Sequence, residues 1–170
     1  MAKVEVAATQ MTCVWDRAAN IAKAEKLVRA AAKQGARVAF GGQQTRMDSG
    51  GYFVEPTIFD GVKQSMTIAR EEIFGPVLAT ITFRDVAEAV TIANDVSYGL
   101  AAAVWSRDIT TAHRVARALR AGTVYVNCYD ADDITVPFGG FKQSGNGRDK
   151  SLHAFDKYTE LKTTWIDLSI

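Results

Sequence analysis

The sequence predicts an α/β fold, a mostly parallel sheet with flanking helices, and three observations carry that prediction. From Pro76 onward, strand-length apolar runs alternate with helical patterns in the order strand–helix–strand–helix–strand, which implies parallel pairing covered by helices. The two helical patterns open on Asp85 and on Thr110 or Thr111 and carry apolar residues on one side. Hydrophobic residues make up 48% of the 170 and charged residues 23%, the balance of a chain with a core to bury.

Residues 3–11 (KVEVAATQM) are rich in β-branched and small apolar residues and predict a strand. Asp16 is placed to cap a helix in which Ile21, Ala24, Val28 and Ala31 share a face, with Gly35 as its stop. Residues 37–40 (RVAF) predict a second strand, so the chain should begin as a strand–helix–strand unit. Residues 41–51 (GGQQTRMDSGG) predict a turn or loop. Residues 52–59 (YFVEPTIF) are strand-like, with Pro56 forcing an edge or a bend. Residues 66–72 predict a loop or short helix and residues 76–83 (PVLATITF) a strand. A helix capped by Asp85 should run through Asn94, with Val86, Ala89, Val90 and Ala93 on one side. A strand at 100–105 should follow, then a helix to Arg120 with Val115, Ala118 and Leu119 inward, then a strand at 122–127 (GTVYVN). Residues 130–147 predict a polar, glycine-rich loop region, residues 152–157 a helix, and residues 159–168 (TELKTTWIDL) a terminal strand. That strand has no following element to cover it, so it is either an edge of its own sheet or a pairing surface for a second subunit.

Lys plus Arg number 20 and Asp plus Glu 19, a net charge of +1. No bulk basic footprint for nucleic acid exists, and no local run supplies one. No apolar stretch reaches the roughly 18 residues of a membrane span. Glu5 stands early and no long apolar core follows, unlike a secretory signal. Cys13 and Cys128 make no disulfide framework, and the two histidines and two cysteines lack paired zinc-site spacing, so no metal site is expected. The expectation is a soluble, cytoplasmic protein without nucleic-acid or membrane partners.

Generic catalytic signatures are missing: no G-x-S-x-G elbow, no Walker A loop and no complete G-x-G-x-x-G. Cys128 ends a predicted strand, where a nucleophile could sit, but neither histidine is near in sequence, so a buried, inert thiol is the expectation.

Three ordered stretches say more: Arg70-Glu71-Glu72-Ile73-Phe74-Gly75-Pro76-Val77, then Gly122-Thr123-Val124-Tyr125-Val126-Asn127, then Pro137-Phe138-Gly139-Gly140-Phe141-Lys142-Gln143-Ser144-Gly145. Together with Asn94-Asp95-Val96-Ser97-Tyr98-Gly99-Leu100, they resemble the C-terminal part of the NAD(P)-dependent aldehyde dehydrogenase family. The resemblance runs from about Gly35 to Ile170. Asn146-Gly147-Arg148-Asp149-Lys150-Ser151 and Tyr158-Thr159-Glu160-Leu161-Lys162-Thr163 look most like the bacterial aminoaldehyde branch, which acts on γ-glutamyl-γ-aminobutyraldehyde and related polyamine products.

The resemblance implies a partial catalytic domain that handles NAD or NADP. It implies that Glu72 accepts from the nicotinamide ribose, that Phe74 packs against the nicotinamide side, and that Phe138 lines the aldehyde tunnel. It matches residues 129–133 to the substrate-entrance loop, here Tyr129, Asp130, Asp132 and Asp133 around Ala131. Three carboxylates at a pocket mouth would attract a cationic aldehyde; a solvated acidic loop is the alternative. Arg148 and Glu160 match a pair bracing the subunit interface, and the terminal strand matches an oligomerisation strand. The family's nucleophilic cysteine, general-base glutamate and glycine-rich cofactor domain lie upstream of the matched region, and Cys128 does not match the nucleophile. The resemblance therefore implies no catalytic residue here, no autonomous turnover, and doubtful cofactor binding.

Residues 1–36 resemble something else. Val6-Ala7-Ala8-Thr9-Gln10-Met11, Trp15-Asp16, Asn20-Ile21 and residues 24–36 are similar to the start of nitrilase-superfamily carbon–nitrogen hydrolases, N-carbamoylputrescine amidases above all. That superfamily's triad glutamate would fall at residues 39–42, where Ala39-Phe40-Gly41-Gly42 stand. The expected organisation is a strand–helix segment at 1–36, a partial dehydrogenase catalytic domain at 37–157 and an oligomerisation strand at 158–170. The competing functions are a dehydrogenase fragment, a non-catalytic module that oligomerises with itself or with dehydrogenase subunits, and a hydrolase remnant.

Overall fold

A computed structural model describes residues 17–51, 53–131 and 133–169. The strand expected at 3–11, the Asp16 cap, Cys13, and the side chains of Ile21 and Ala24 lie outside the described residues.

Helix α1 (Arg17–Lys33) runs to the predicted stop. The amide of Ala36 returns to the carbonyl of Ala31, and Gly35 takes φ 94°, a conformation that only glycine adopts cheaply. Strand β1 (Arg37–Phe40) follows. The loop expected at 41–51 holds more structure than its composition suggests. Strand β2 (Gln44–Thr45) forms a small hairpin with β3 (Phe53–Val54) across a 3₁₀ turn at Met47–Ser49. Pro56 breaks the expected 52–59 strand, so pairing resumes as β4 (Thr57–Asp60).

Helix α2 (Thr67–Arg70) is a single turn, and strand β5 (Val77–Ala79) is shorter than the expected 76–83. Helix α3 (Val86–Asn94) starts on Asp85, whose carboxylate accepts from the amide of Glu88 at 2.9 Å. Strands β6 (Tyr98–Gly99) and β7 (Ala101–Val104) precede helix α4 (Ile109–Ala118). Its cap is Asp108, not a threonine: the Asp108 carboxylate accepts from the amides of Thr110 and Thr111, both at 3.1 Å. Strands β8 (Thr123–Val126) and β9 (Phe141–Lys142) and a 3₁₀ turn at Leu152–Lys157 complete the elements.

The ladders are mixed. β4 pairs parallel with β5, and β7 parallel with β8, as a crossover through an intervening helix demands for the second pair. β1 instead pairs antiparallel with β4, and β6 antiparallel with β9. Two apolar clusters result. The first gathers Ala31 and Ala36 of the opening segment with Phe59, Met66, Ile68, Ile73 and Val77. The second packs Val115 and Leu119 on Val104, with Val90 and Ala93 from α3. Ala118 and Val86, expected inward, are exposed, because both helices are short and present only two apolar rows to the strands.

The terminal strand does not form within the chain. Residues 158–169 make no ladder and are exposed throughout, Trp165 at 91%. Among the described residues no strand pairs with them, and a strand without a neighbour has no hydrogen bonds to gain.

Candidate functional site

The segment Glu71-Glu72-Ile73-Phe74 leaves α2 through an extended Glu71 and is pinned by Ile73, 1% exposed in the first cluster. The flanking side chains therefore face away from that core. Glu72 is half-buried and, among the described residues, accepts no hydrogen bond and makes no ion pair. Burial, with a smaller push from the charge of Glu71, raises its carboxyl from 4.5 to about 7. Phe74 takes φ 53°, a left-handed backbone that is costly for a bulky residue, and leaves its ring 47% exposed. A desolvated carboxylate lacking donors, two residues from an open aromatic face, suits a ribose diol and a flat ring, so these residues fit the nicotinamide end of a dinucleotide.

Phe138 lies on a separate loop, between β8 and β9. It exchanges both backbone hydrogen bonds with Asp149, at 2.8 and 2.6 Å, and Lys150 Nζ lies 5.5 Å from its ring centre. Gly122 and Gly139 let this loop lie on the start of β8: a Cβ at Gly122 would stand 1.7 Å from the carbonyl oxygen of Gly139. The Phe138 loop continues into β9, where Lys142 pairs with Tyr98. The Tyr98 hydroxyl is held above its ordinary range by burial and by the charges of Glu72 and Glu71, which places Glu72 within electrostatic reach of the β6–β9 ladder.

The loop that the resemblance matches to a substrate entrance follows β8. Tyr129 is exposed and leans on Tyr125 with ring centres 5.6 Å apart. Asp130 is exposed with φ 55°, and Asp132 lies outside the described residues. Asp133 spends its Oδ1 locally, accepting from the amide of Thr135 at 2.8 Å and its hydroxyl at 2.6 Å. Those bonds, with the charge of Lys150, hold its carboxyl below the usual range. Asp133 is thus a turn cap as well as an acidic group.

The expected Arg148–Glu160 pair does not form within the chain. Arg148 Nη1 donates to the carbonyls of Gly140, Asn146 and Gly147 at 2.9, 3.0 and 2.9 Å, folding its own loop, while Glu160 stays in the exposed tail. Cys128 is a free thiol and is exposed, not buried as its strand-end position suggested. Among the described residues no group of three His, Cys, Asp or Glu could hold a metal ion, and no helix is long and apolar enough to cross a membrane.

Several residues that shape the site escaped the sequence reading. Asn127 extends the β7–β8 ladder with its side chain: Oδ1 accepts from the amide of Ser106 at 2.8 Å and Nδ2 donates to its carbonyl at 3.0 Å. Its left-handed φ of 56° then turns the chain into the entrance loop. Asn94 does the same between helices, donating to the Ala118 carbonyl at 2.8 Å and accepting from the Arg120 amide at 2.7 Å. An asparagine at the end of an apolar run was the available signal.

The model of the aldehyde dehydrogenase family matches residues 3–164, and the chain belongs to that family. It is 59% identical over 115 residues to the NADP/NAD-dependent aldehyde dehydrogenase PuuC of Escherichia coli (strain K12), covering 68% of this chain and 23% of that protein. The solved structure of P. syringae AldA, an indole-3-acetaldehyde dehydrogenase in complex with NAD+ and IAA, superposes with a TM-score of 0.84 at 61% identity, over 88% of this chain and 30% of that one. The γ-glutamyl-γ-aminobutyraldehyde dehydrogenase of Burkholderia cenocepacia J2315 superposes with a TM-score of 0.81 at 58% identity, over 86% and 29%. The chain thus spans less than a third of the length of these relatives.

Proposed function

We propose that these residues form the C-terminal portion of an NAD(P)-dependent aldehyde dehydrogenase of the aminoaldehyde branch. The half-buried carboxylate of Glu72, which accepts no hydrogen bond among the described residues, two positions from the exposed Phe74, carries the reading. Glu72 accepts from the ribose hydroxyls and fixes the sugar; Phe74 restrains the flat ring; Phe138 lines the aldehyde path. Tyr129 and the carboxylates of Asp130 and Asp133 stand at its mouth and draw in a cationic substrate. When bound, the cofactor supplies the hydride acceptor. The substrate class is supported by the likeness to the γ-glutamyl-γ-aminobutyraldehyde dehydrogenase and by the acidic mouth, and points to polyamine breakdown.

By themselves the 170 residues do not turn over aldehyde. Acyl transfer through sulfur needs an activated thiolate beside oxyanion donors, and Cys128 is an exposed strand-end thiol with no base hydrogen-bonded to it among the described residues. Purified chain incubated with NAD+ and γ-glutamyl-γ-aminobutyraldehyde should produce no NADH, and calorimetry should find weak or undetectable NAD+ affinity. Robust turnover that persists in Cys128→Ser overturns this reading. Pairing of the terminal segment with a second copy or with full-length dehydrogenase subunits, with Arg148 and Glu160 across the contact, gives the chain its role as an oligomerising module.

We also infer that residues 1–36 were joined to the dehydrogenase segment from a carbon–nitrogen hydrolase reading frame. The hydrolase-like stretches support this; the family match over residues 3–164 and the structural matches over 88% of the chain weigh the other way. An unbroken dehydrogenase frame running through residue 37 in the source DNA overturns the fusion.

A further inference from the structure

Helices end with carbonyls that no following turn can satisfy. At the end of α3 those carbonyls are taken by side chains from two distant segments. Gln64 Nε2 donates to the carbonyls of Ile92 and Asp95 at 3.2 and 2.8 Å. Arg70 binds the same place with its whole fork: Nη1 to the Asp95 carbonyl at 3.5 Å, Nη2 to Asp95 Oδ2 at 2.8 Å, and Nε back to the Gln64 carbonyl at 2.9 Å. From the other side, Lys142 Nζ donates to the carbonyls of Asn94 and Val96 at 2.8 and 3.0 Å. Two cations on one helix C-terminus also suit its partial negative charge.

We propose that residues 92–96 are a shared anchor, from which Arg70 positions the Glu72 segment and Lys142 positions the Phe138 loop. Neither cation contacts Glu72 or Phe138; each acts through the backbone that carries them. Arg70 immediately precedes Glu71 and Glu72, and Ile73 is buried just beyond, so Glu72 is held between a clamp and a core residue. The charges acting on Glu72 include Glu71 and not Arg70, so the link is mechanical rather than electrostatic. Lys142, at φ 56°, lies four residues after Phe138, and the next amide, Gln143, donates to the Ser97 carbonyl at 3.0 Å. The Arg70–Asp95 ion pair is half exposed and by charge alone contributes at most about 1 kcal/mol. The three-acceptor geometry therefore matters more than the charge. What the two segments do rests on the dehydrogenase reading; the anchor does not.

The test uses the whole 170-residue chain and reads two quantities by NMR: the titration midpoint of the Glu72 carboxyl and amide exchange along the backbone. Arg70→Met should lower the Glu72 midpoint by about one unit or more as the carboxyl swings into water. It should also speed exchange at residues 71–75 about tenfold while leaving residues 138–144 unchanged. Lys142→Met should do the reverse, and Arg70→Lys should restore part of the Arg70→Met loss. If Arg70→Met does not fold, Asp95→Asn decides, since it removes only the ion pair and should give the same pattern at smaller amplitude. An unmoved Glu72 midpoint in the folded Arg70 and Asp95 variants, or exchange rising equally in both segments, overturns the anchor. Cofactor binding is not read, so a failed dehydrogenase reading leaves this result standing, and the converse holds.

Discussion

Residues 101–126 and residues 158–169 carry comparable patterns and meet opposite fates. In the first, Ala101–Val104 and Thr123–Val126 find each other through the crossover of α4, and Val104 ends 1% exposed. In the second, Leu161, Trp165, Ile166 and Leu168 are as apolar as any core strand and remain in solvent. The difference is not propensity but a neighbour. A strand gains its hydrogen bonds and its burial only when another backbone lies alongside.

Breaking the packed side should cost most. Phe59→Ala, in the first cluster at 0% exposure, should lower unfolding free energy by about 3–5 kcal/mol in urea titration. Gly122→Ala forces a Cβ against the Gly139 carbonyl, and its neighbour is backbone that cannot swing aside. A loss of about 2 kcal/mol or more is expected, with the Phe138 loop displaced in its amide shifts. A smaller effect separates pH values. Glu72 is raised in the folded chain, so the folded state holds its proton more tightly than the unfolded one. Stability from this group is full below about pH 4.5 and is lost as pH rises through about 7. Solvent screening at a half-exposed group limits the change to about 1 kcal/mol, and Glu72→Gln should flatten it in thermal melts across that window. Asp108→Ala removes two amide acceptors from the start of α4 and should cost about 1 kcal/mol. The tail sharpens the contrast from the other end: Trp165→Asp should change monomer stability by less than about 0.5 kcal/mol while reducing self-association in size-exclusion mass measurements. A strictly monomeric parent chain at high concentration would count against tail pairing.

Part of the site could be read before any geometry. Glu72, Phe74 and Phe138 stand in motifs long enough to recognise; their settings, a desolvated carboxylate, an exposed aromatic and a loop braced on Asp149, came only with the structure. Asp133 was legible as an acid but not as a turn cap, since the hydrogen bond to Thr135 depends on a local backbone turn. Arg148 was legible as a cation in a glycine loop. That its Nη1 closes on the carbonyls of Gly140, Asn146 and Gly147 follows from the way that loop folds, which charge pattern does not encode. The hairpin within residues 44–54 was invisible for a similar reason: two-residue strands carry too few side chains to show a period.

The sequence by itself determined where α3 begins and α1 stops, because caps and glycine stops act within a few residues: Asp85 and Gly35 needed no distant partner. It also determined family, through ordered motifs. Only the tertiary structure decided which strands run parallel, that β1 turns antiparallel to β4, and that Gln64, Arg70 and Lys142 converge on one helix end. Those outcomes depend on contacts between residues tens of positions apart, whose cost in chain entropy is met by burying the two clusters together, a sum over the whole chain that no local window contains.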